Sequence, residues 1–344
     1  MTDKNSNIVM DGFQARKRRY LTVTCCLAVF VLVLCAIVLL YGNTIYPLST
    51  IWKVLKGENI KGATFAVKSL RLPRMLSGLL CGFAFGMAGS TFQTMLRNPL
   101  ASPDIIGVTS GSSAAAIFTL IILGLPGPTV SIAAVLGGTV TSAFIYLLSR
   151  GGSYNGGRLI LIGLGMQAML NALINYFMLK APQHDVPTAF RWLSGSLNGI
   201  SMSDIPMLAV VLLIFTPVIV MLGRHLRILE LGEETAITLG IHADRTRLLL
   251  ILSSVVCIAF ATATAGPIAF VSFLSGPIAR KLVGAGMNNE LPSGLAGACL
   301  VLMADLIGQF AFTTRFPVGV ITGILGAPYL LFLLIRMNKS GGIS

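Results

Sequence analysis

Ten apolar runs, each close to the length that a helix needs to cross lipid, make up most of this chain. They lie at 21–41, 73–96, 105–124, 130–149, 158–180, 205–223, 246–264, 268–284, 293–313 and 317–336. A hydrocarbon core about 30 Å thick is crossed by about 20 helical residues. Only helices and closed barrels satisfy every backbone polar group inside lipid. The runs are too continuous for the in-out alternation of barrel strands, so they predict an all-α polytopic membrane protein. Composition agrees, with 55% of the 344 residues hydrophobic and 11% charged, too little polar surface to coat a soluble globule. The least regular run is 268–284, which Gly266, Pro267, Gly276 and Pro277 interrupt.

The net charge of +13 follows the membrane. With the N-terminus in the cytoplasm, 16 of the 25 lysines and arginines fall on the cytoplasmic side and 9 outside, the bias of a multi-pass protein. Both termini are then cytoplasmic, with tails at 1–20 and 337–344 around a membrane domain at 21–336. No single soluble face gathers the basic residues, so nucleic acid is not an expected partner. Arg16 to Arg19 precede the first run as in a secretory signal, but the run is long and no small-residue cleavage site closes it. It is read as a retained span. The six cysteines, Cys25, Cys26, Cys35, Cys81, Cys257 and Cys299, all lie in runs without metal-ligand spacing and are read as core residues.

Five runs precede the 181–204 segment and five follow it. An odd number per half sets the halves, if they are repeats, in opposite orientations, a recurring transporter plan. In the second run Gly78, Gly82, Gly86 and Ser90 recur at i, i+4 steps on one face, which suits close helix packing or a flexible gating helix.

Several clusters carry candidate function, each beside a plainer reading. Arg71 and Arg74 at the outer end of the second run can pair with carboxylates of a docking partner or anchor the helix at the headgroups, and topology brings Arg315 to the same surface. At the inner end Asn98-Pro99-Leu100 stops the run, as a simple turn or as a constriction. The 224–245 loop offers a short helix from Gly232 to Gly240, with Leu231, Ala236 and Leu239 as an apolar patch beside Glu233 and Glu234. It suits docking into a partner's groove or a solvated structural helix. Asp305 is the intramembrane carboxylate, read first as a structural hydrogen-bonding group. Gln93, Asn171, Asn175 and Ser272 either line a pathway or join helices. No G-x-x-x-x-G-K-[ST], H-E-x-x-H or G-x-S-x-G motif occurs in the sequence. The chain is therefore expected to be no enzyme and to bind no ATP or metal of its own.

These residues resemble the FecCD-type permeases of bacterial ABC importers, which carry iron-siderophores, haem or cobalamin. The likeness covers nearly the whole chain. It rests on Arg71-Leu-Pro-Arg74, Asn98-Pro-Leu-Ala-Ser-Pro-Asp-Ile-Ile-Gly107, Gly232-Glu-Glu-Thr-Ala236 with Leu239-Gly240, Gly266-Pro-Ile-Ala-Phe270, and Pro317-Val-Gly-Val-Ile-Thr322 with Gly326-Ala-Pro328. The resemblance implies ten transmembrane helices in two inverted five-helix halves, the type II importer permease fold. It implies pairing with a second permease, as homodimer or heterodimer, and seating on two ATPase subunits that bind ATP-Mg.

Position by position, it makes Arg71 and Arg74 receivers of acidic residues on a periplasmic or lipid-anchored binding protein. It places Asn98 and Leu100 at a cytoplasmic gate, with Ser153 and Tyr154 as a second layer. It assigns Leu231, Gly232, Glu233, Glu234, Thr235, Ala236, Leu239 and Gly240 to a coupling helix in the ATPase cleft. Where the family commonly has Pro-His, this chain has Gly276-Pro277. Similarity to the ferric-enterobactin branch, through Arg191-Trp-Leu-Ser-Gly-Ser-Leu-Asn-Gly199, Arg158-Leu-Ile-Leu-Ile-Gly163 and Arg227-Ile-Leu-Glu230, implies a catecholate Fe(III)-siderophore as cargo and the bacterial inner membrane as location. Haem or cobalamin is the alternative cargo, and a gradient-driven secondary transporter the alternative class.

Overall fold

The computed structural model describes residues 2–149, 156–284 and 286–339, with side chains described for 10–149, 156–284 and 286–335. Among these residues every regular element is helical. The order is α1 (Thr2–Leu40), α2 (Leu48–Leu55), α3 (Leu72–Met95), α4 (Val108–Ile117), α5 (Pro128–Ser149), α6 (Gly156–Lys180), α7 (Val186–Leu193), α8 (Ile205–Glu230), α9 (Glu233–Thr238), α10 (Ala243–Ala265), α11 (Val271–Val283), α12 (Glu290–Phe310) and α13 (Val318–Lys339).

The expected all-α membrane bundle is present, with eight of the ten expected spans as long apolar helices and the other two runs as shorter ones. Eight helices are long and apolar enough to cross lipid, namely α1, α3 with the π-helical turn that leads into it, α5, α6, α8, α10, α12 and α13. The 105–124 run is broken by the left-handed Gly107 (φ +71°) and leaves a helical stretch of Val108–Ile122. The 268–284 run is α11, whose 13 residues rise only about 20 Å. Phe270 in a left-handed conformation precedes α11, and Gly284 at φ +89° ends it.

Two helices reach beyond their apolar runs. The expected 1–20 tail continues α1 as helix from Thr2. The 205–223 run extends to Glu230, because Arg224, His225 and Arg227 carry the helix past its apolar stretch.

The centre of the fold is α3, with α12, α10, α11 and α8 packed around it. Its close approach to α12 explains the row of small residues. A Cβ on Gly82 would lie 2.6 Å from the Gly297 carbonyl oxygen, and one on Gly86 would collide with the Ser293 carbonyl. Ser90 ends the row by accepting a 3.1 Å hydrogen bond from Asn289 Nδ2. The close-packing reading of this face is therefore the one the geometry supports. By contrast α1, α5, α6, α8 and α13 leave much of their apolar surface uncovered, with Leu32, Val140, Leu161, Leu213 and Ile324 all exposed. Such surface suits lipid or a partner subunit.

Candidate translocation and coupling sites

At one end of α3 the two arginines are both engaged within the chain. Arg71 Nη1 donates to the carbonyls of Leu39 at 2.8 Å and Leu40 at 2.9 Å, and Nη2 to that of Thr44 at 2.6 Å. It thereby caps the open carbonyls at the end of α1, with its guanidinium 5.1 Å from the Tyr46 ring centre.

Arg74 grips Asp305 of α12 side-on. Nε donates to Oδ2 at 2.8 Å and Nη2 to Oδ1 at 2.7 Å, and Asp305 is only 2% exposed. Gln309, one turn further along α12, donates to Asp305 Oδ2 at 2.7 Å. The intramembrane carboxylate is thus matched by a cation and an amide, as a buried charge requires. The structural reading of Asp305 fits this geometry. Arg315 is nearby, donating to Asn43 Oδ1 at 2.7 Å. The three arginines and Gln309 border one cavity of about 370 Å³ that opens at this end of the bundle.

Two of the polar residues named from sequence, Gln93 and Ser272, reach across to other elements. Gln93 Nε2 donates to the Phe273 carbonyl at 2.9 Å, and Gly276 leaves room for it, since a Cβ there would strike Gln93 Oε1. Ser272 is buried, its hydroxyl 3.4 Å from that of Ser102. Asn171 and Asn175 stand apart from both, one turn from each other and exposed on α6. Gln93, Ser272, Asn171 and Asn175 therefore do not converge on one channel within a single chain.

At the opposite end, Asn98 Oδ1 accepts the Leu100 backbone N–H at 2.9 Å, a local side-chain turn that lets the chain reverse before Pro99. Its neighbour Arg97 adopts φ +50° and donates to the Leu229 carbonyl in the last turn of α8. Ser153 and Tyr154 lie outside the described residues.

Helix α9 follows at once. Gly240, at φ +82°, takes a left-handed turn that ends it. The expected apolar patch is altered: Ala236 is fully buried and faces the core, while Ile237 takes its place beside Leu231 and Leu239, at 59%, 72% and 63% exposed. Helical spacing explains the exchange, because residue 236 points to the side that must pack on α8 and α10. Glu233 accepts from Arg247 of α10 at 2.9 Å, which fixes the root of the projection. Glu234 and Thr235 are exposed.

Sequence reasoning missed a second set of residues beneath α9. Arg280 of α11 donates to Thr94 Oγ1 of α3 at 3.0 Å and lies 3.9 Å from Glu230 Oε1. With Arg227, Asn289 and Glu290 they line a polar cavity of about 130 Å³. The signal in the sequence is the row of charges at 224, 227 and 230 beyond the apolar part of α8, one helical turn apart.

Comparison with known proteins bears on the chain as a whole. Residues 27–336 match the model of the FecCD transport family. The chain is 37% identical over 323 residues to the ferric enterobactin transport system permease protein FepG of Escherichia coli (strain K12), covering 93% of this chain and 98% of that protein. It is 36% identical to the achromobactin transport system permease protein CbrC of Dickeya dadantii (strain 3937), over 83% of this chain and 84% of that one. Among solved structures, an inward-facing metal-chelate type ABC transporter superposes with a TM-score of 0.82 at 26% identity, over 92% of this chain and all of that one. The chain belongs to the FecCD transport family.

Proposed function

We propose that this chain is a permease subunit of a binding-protein-dependent ABC importer that moves an Fe(III)-siderophore, of the catecholate enterobactin type, across the bacterial inner membrane. Support for the cargo comes from the likeness to ferric enterobactin permeases over almost the full length of both chains. Haem and cobalamin are the less favoured cargoes on the same ground.

The observation that carries the mechanism is α9. Three large apolar side chains, Ile237 on a six-residue helix braced by Arg247 and Leu231 and Leu239 just before and after it, project beside Glu234. An amphipathic projection of this kind fits a groove on a partner, and the sequence holds no phosphate loop with which to hydrolyse ATP itself. The partner is accordingly an ATPase subunit, one of two, and α9 is the coupling helix, on the cytoplasmic side with both termini. A second permease, identical or not, completes the pathway along the uncovered faces, where Asn171 and Asn175 supply polar groups.

The binding protein docks at the Arg71, Arg74 and Arg315 end, with Arg315 as the most accessible of the three. Asn98 and Leu100 form the cytoplasmic gate, tied to the root of α9 through the Arg97 hydrogen bond to Leu229. Uptake of labelled ferric enterobactin into proteoliposomes holding the whole transporter tests this reading. Accumulation is expected only with ATP and binding protein together. Accumulation driven by an ion gradient without ATP overturns it.

A further inference from the structure

A cavity of about 830 Å³ separates the α9 ends of α1 and α8 and plays no part in the mechanism above. Its rim carries Lys17, Arg224 and Arg227, and no carboxylate is found among its described lining residues. Its floor is apolar, with Leu21 and Met221 exposed at 51% and 71%. Lys17 and Arg224 are exposed, while Arg227 is held behind them, its Nη1 donating to the Gly286 carbonyl at 2.7 Å and its side chain also bordering the cavity of Glu230 and Glu290.

The level of this cavity is set twice over by sequence. Along α1 the chain changes from Arg16-Lys-Arg-Arg19 to an apolar run at Tyr20, and along α8 from an apolar run to charge at Arg224. Both changes occur at the cavity, which therefore sits where the hydrocarbon slab gives way to headgroups, with Tyr20 at the interface as aromatic rings prefer. Its apolar floor is continuous with the uncovered faces of both helices.

We infer that this cavity is a binding site for an anionic phospholipid. The headgroup phosphate sits between the exposed Lys17 and Arg224, with the Arg227 guanidinium behind them, and the acyl chains lie along Leu21 and Met221. Charge selects the occupant: a zwitterionic lipid offers the same chains but brings a quaternary ammonium to a rim that is already cationic. A phosphate without chains would leave the apolar floor wet.

The test uses the full-length permease purified in its transporter complex, titrated with phosphatidylglycerol or with phosphatidylcholine of identical chains. Thermal stabilisation and lipid retention by native mass spectrometry are the readouts. Phosphatidylglycerol is expected to protect the wild type and phosphatidylcholine not. The triple variant Lys17→Gln, Arg224→Gln, Arg227→Gln is expected to need about tenfold or more phosphatidylglycerol for the same protection. Lys17→Gln alone, at an exposed position that cannot unfold the bundle, is expected to need about fivefold more. Equal protection by both lipids, or unchanged affinity in the variants, overturns the inference. So does equal protection by glycerol 3-phosphate, which would make the site one for soluble phosphate. Loss of the ATPase from the triple variant with lipid affinity intact would give the face to the ATPase and overturn it too.

Discussion

Gln93 on α3 donates to the Phe273 carbonyl on α11 at 2.9 Å, and that carbonyl belongs to the residue four before Pro277. In an unbroken helix the N–H of residue 277 would bond to it; proline has none. A side chain from a neighbouring helix has replaced a missing backbone donor, and Gly276 gives it room. The Gly276-Pro277 pair that sets this chain apart from the common family pattern thus belongs to a matched set with Gln93.

Removing that donor exposes the need for it. Gln93→Ala should destabilise the folded permease by about 1–3 kcal/mol, because the buried carbonyl loses its partner. Adding Pro277→Ala should recover most of the loss, since an alanine at that position restores the intrahelical donor. Unfolding of the purified subunit, followed for the two single variants and the double, reads this directly. A double variant less stable than Gln93→Ala would refute the exchange of donors.

The Arg74–Asp305 pair makes a contrasting prediction, because both partners are ions. Asp305→Ala should cost about 3–5 kcal/mol, leaving Arg74 uncompensated in the bundle, whereas Arg74→Leu with Asp305→Leu should cost far less. This bears on docking tests. Arg74→Glu would set a second carboxylate against Asp305, so reduced docking in that variant would report damage as readily as recognition.

Arg315→Glu is the cleaner probe, since Arg315 is exposed and lends its Nη2 to Asn43 at the surface. It should weaken capture of the loaded binding protein about tenfold, with a smaller salt dependence than wild type. Unchanged affinity and salt dependence, measured on immobilised transporter, would remove the arginine end from docking.

On α9, exposure separates two kinds of variant. Ile237→Ser and Leu239→Ser should leave the permease folded and release the ATPase, with affinity down by about tenfold or more if they anchor the contact. Ala236→Leu should instead destabilise the permease by about 1–3 kcal/mol through overpacking. Co-purification of the ATPase, alongside unfolding of the permease alone, distinguishes the two.

What could be read in the sequence followed from how local each signal was. Apolar length marked the spans, because lipid thickness acts on each run separately, and the glycine row signalled close packing because its period is that of one helix, though not that α12 is the neighbour. Short α4 and α11 were overestimated, since hydropathy does not register the left-handed turns at Gly107 and Phe270 that break the chain. Ala236 was placed on the wrong face of α9 because six residues carry too little periodicity to orient a helix. The partner of Asp305 lay 231 residues away on another helix, a relation that only tertiary packing creates. Arg280 was passed over for the same reason, its two contacts being on α3 and α8.

Those two contacts make Arg280 a second link, beside the Arg97–Leu229 hydrogen bond, between the proposed coupling helix and the proposed gate. Thr94 lies in the last turn of α3, four residues before Asn98, and Glu230 is the last residue of α8 before α9. Arg280 donates to the first and faces the second. A half-exposed pair at 3.9 Å contributes about 0–1 kcal/mol to stability at most, so Arg280→Gln, Thr94→Val and Glu230→Gln should fold and assemble with the ATPase as wild type does. If the link carries motion, each should lower siderophore transported per ATP hydrolysed by about fivefold or more. The Arg280→Gln, Glu230→Gln double variant should be no worse than either single, because both remove one interaction. Additive losses in the double variant would show that Arg280 and Glu230 do not act through one interaction, whereas full coupling in all three singles would show that α9 reaches the proposed gate by the Arg97–Leu229 hydrogen bond alone. In that case an Arg97→Ala variant should uncouple while the Arg280 set does not.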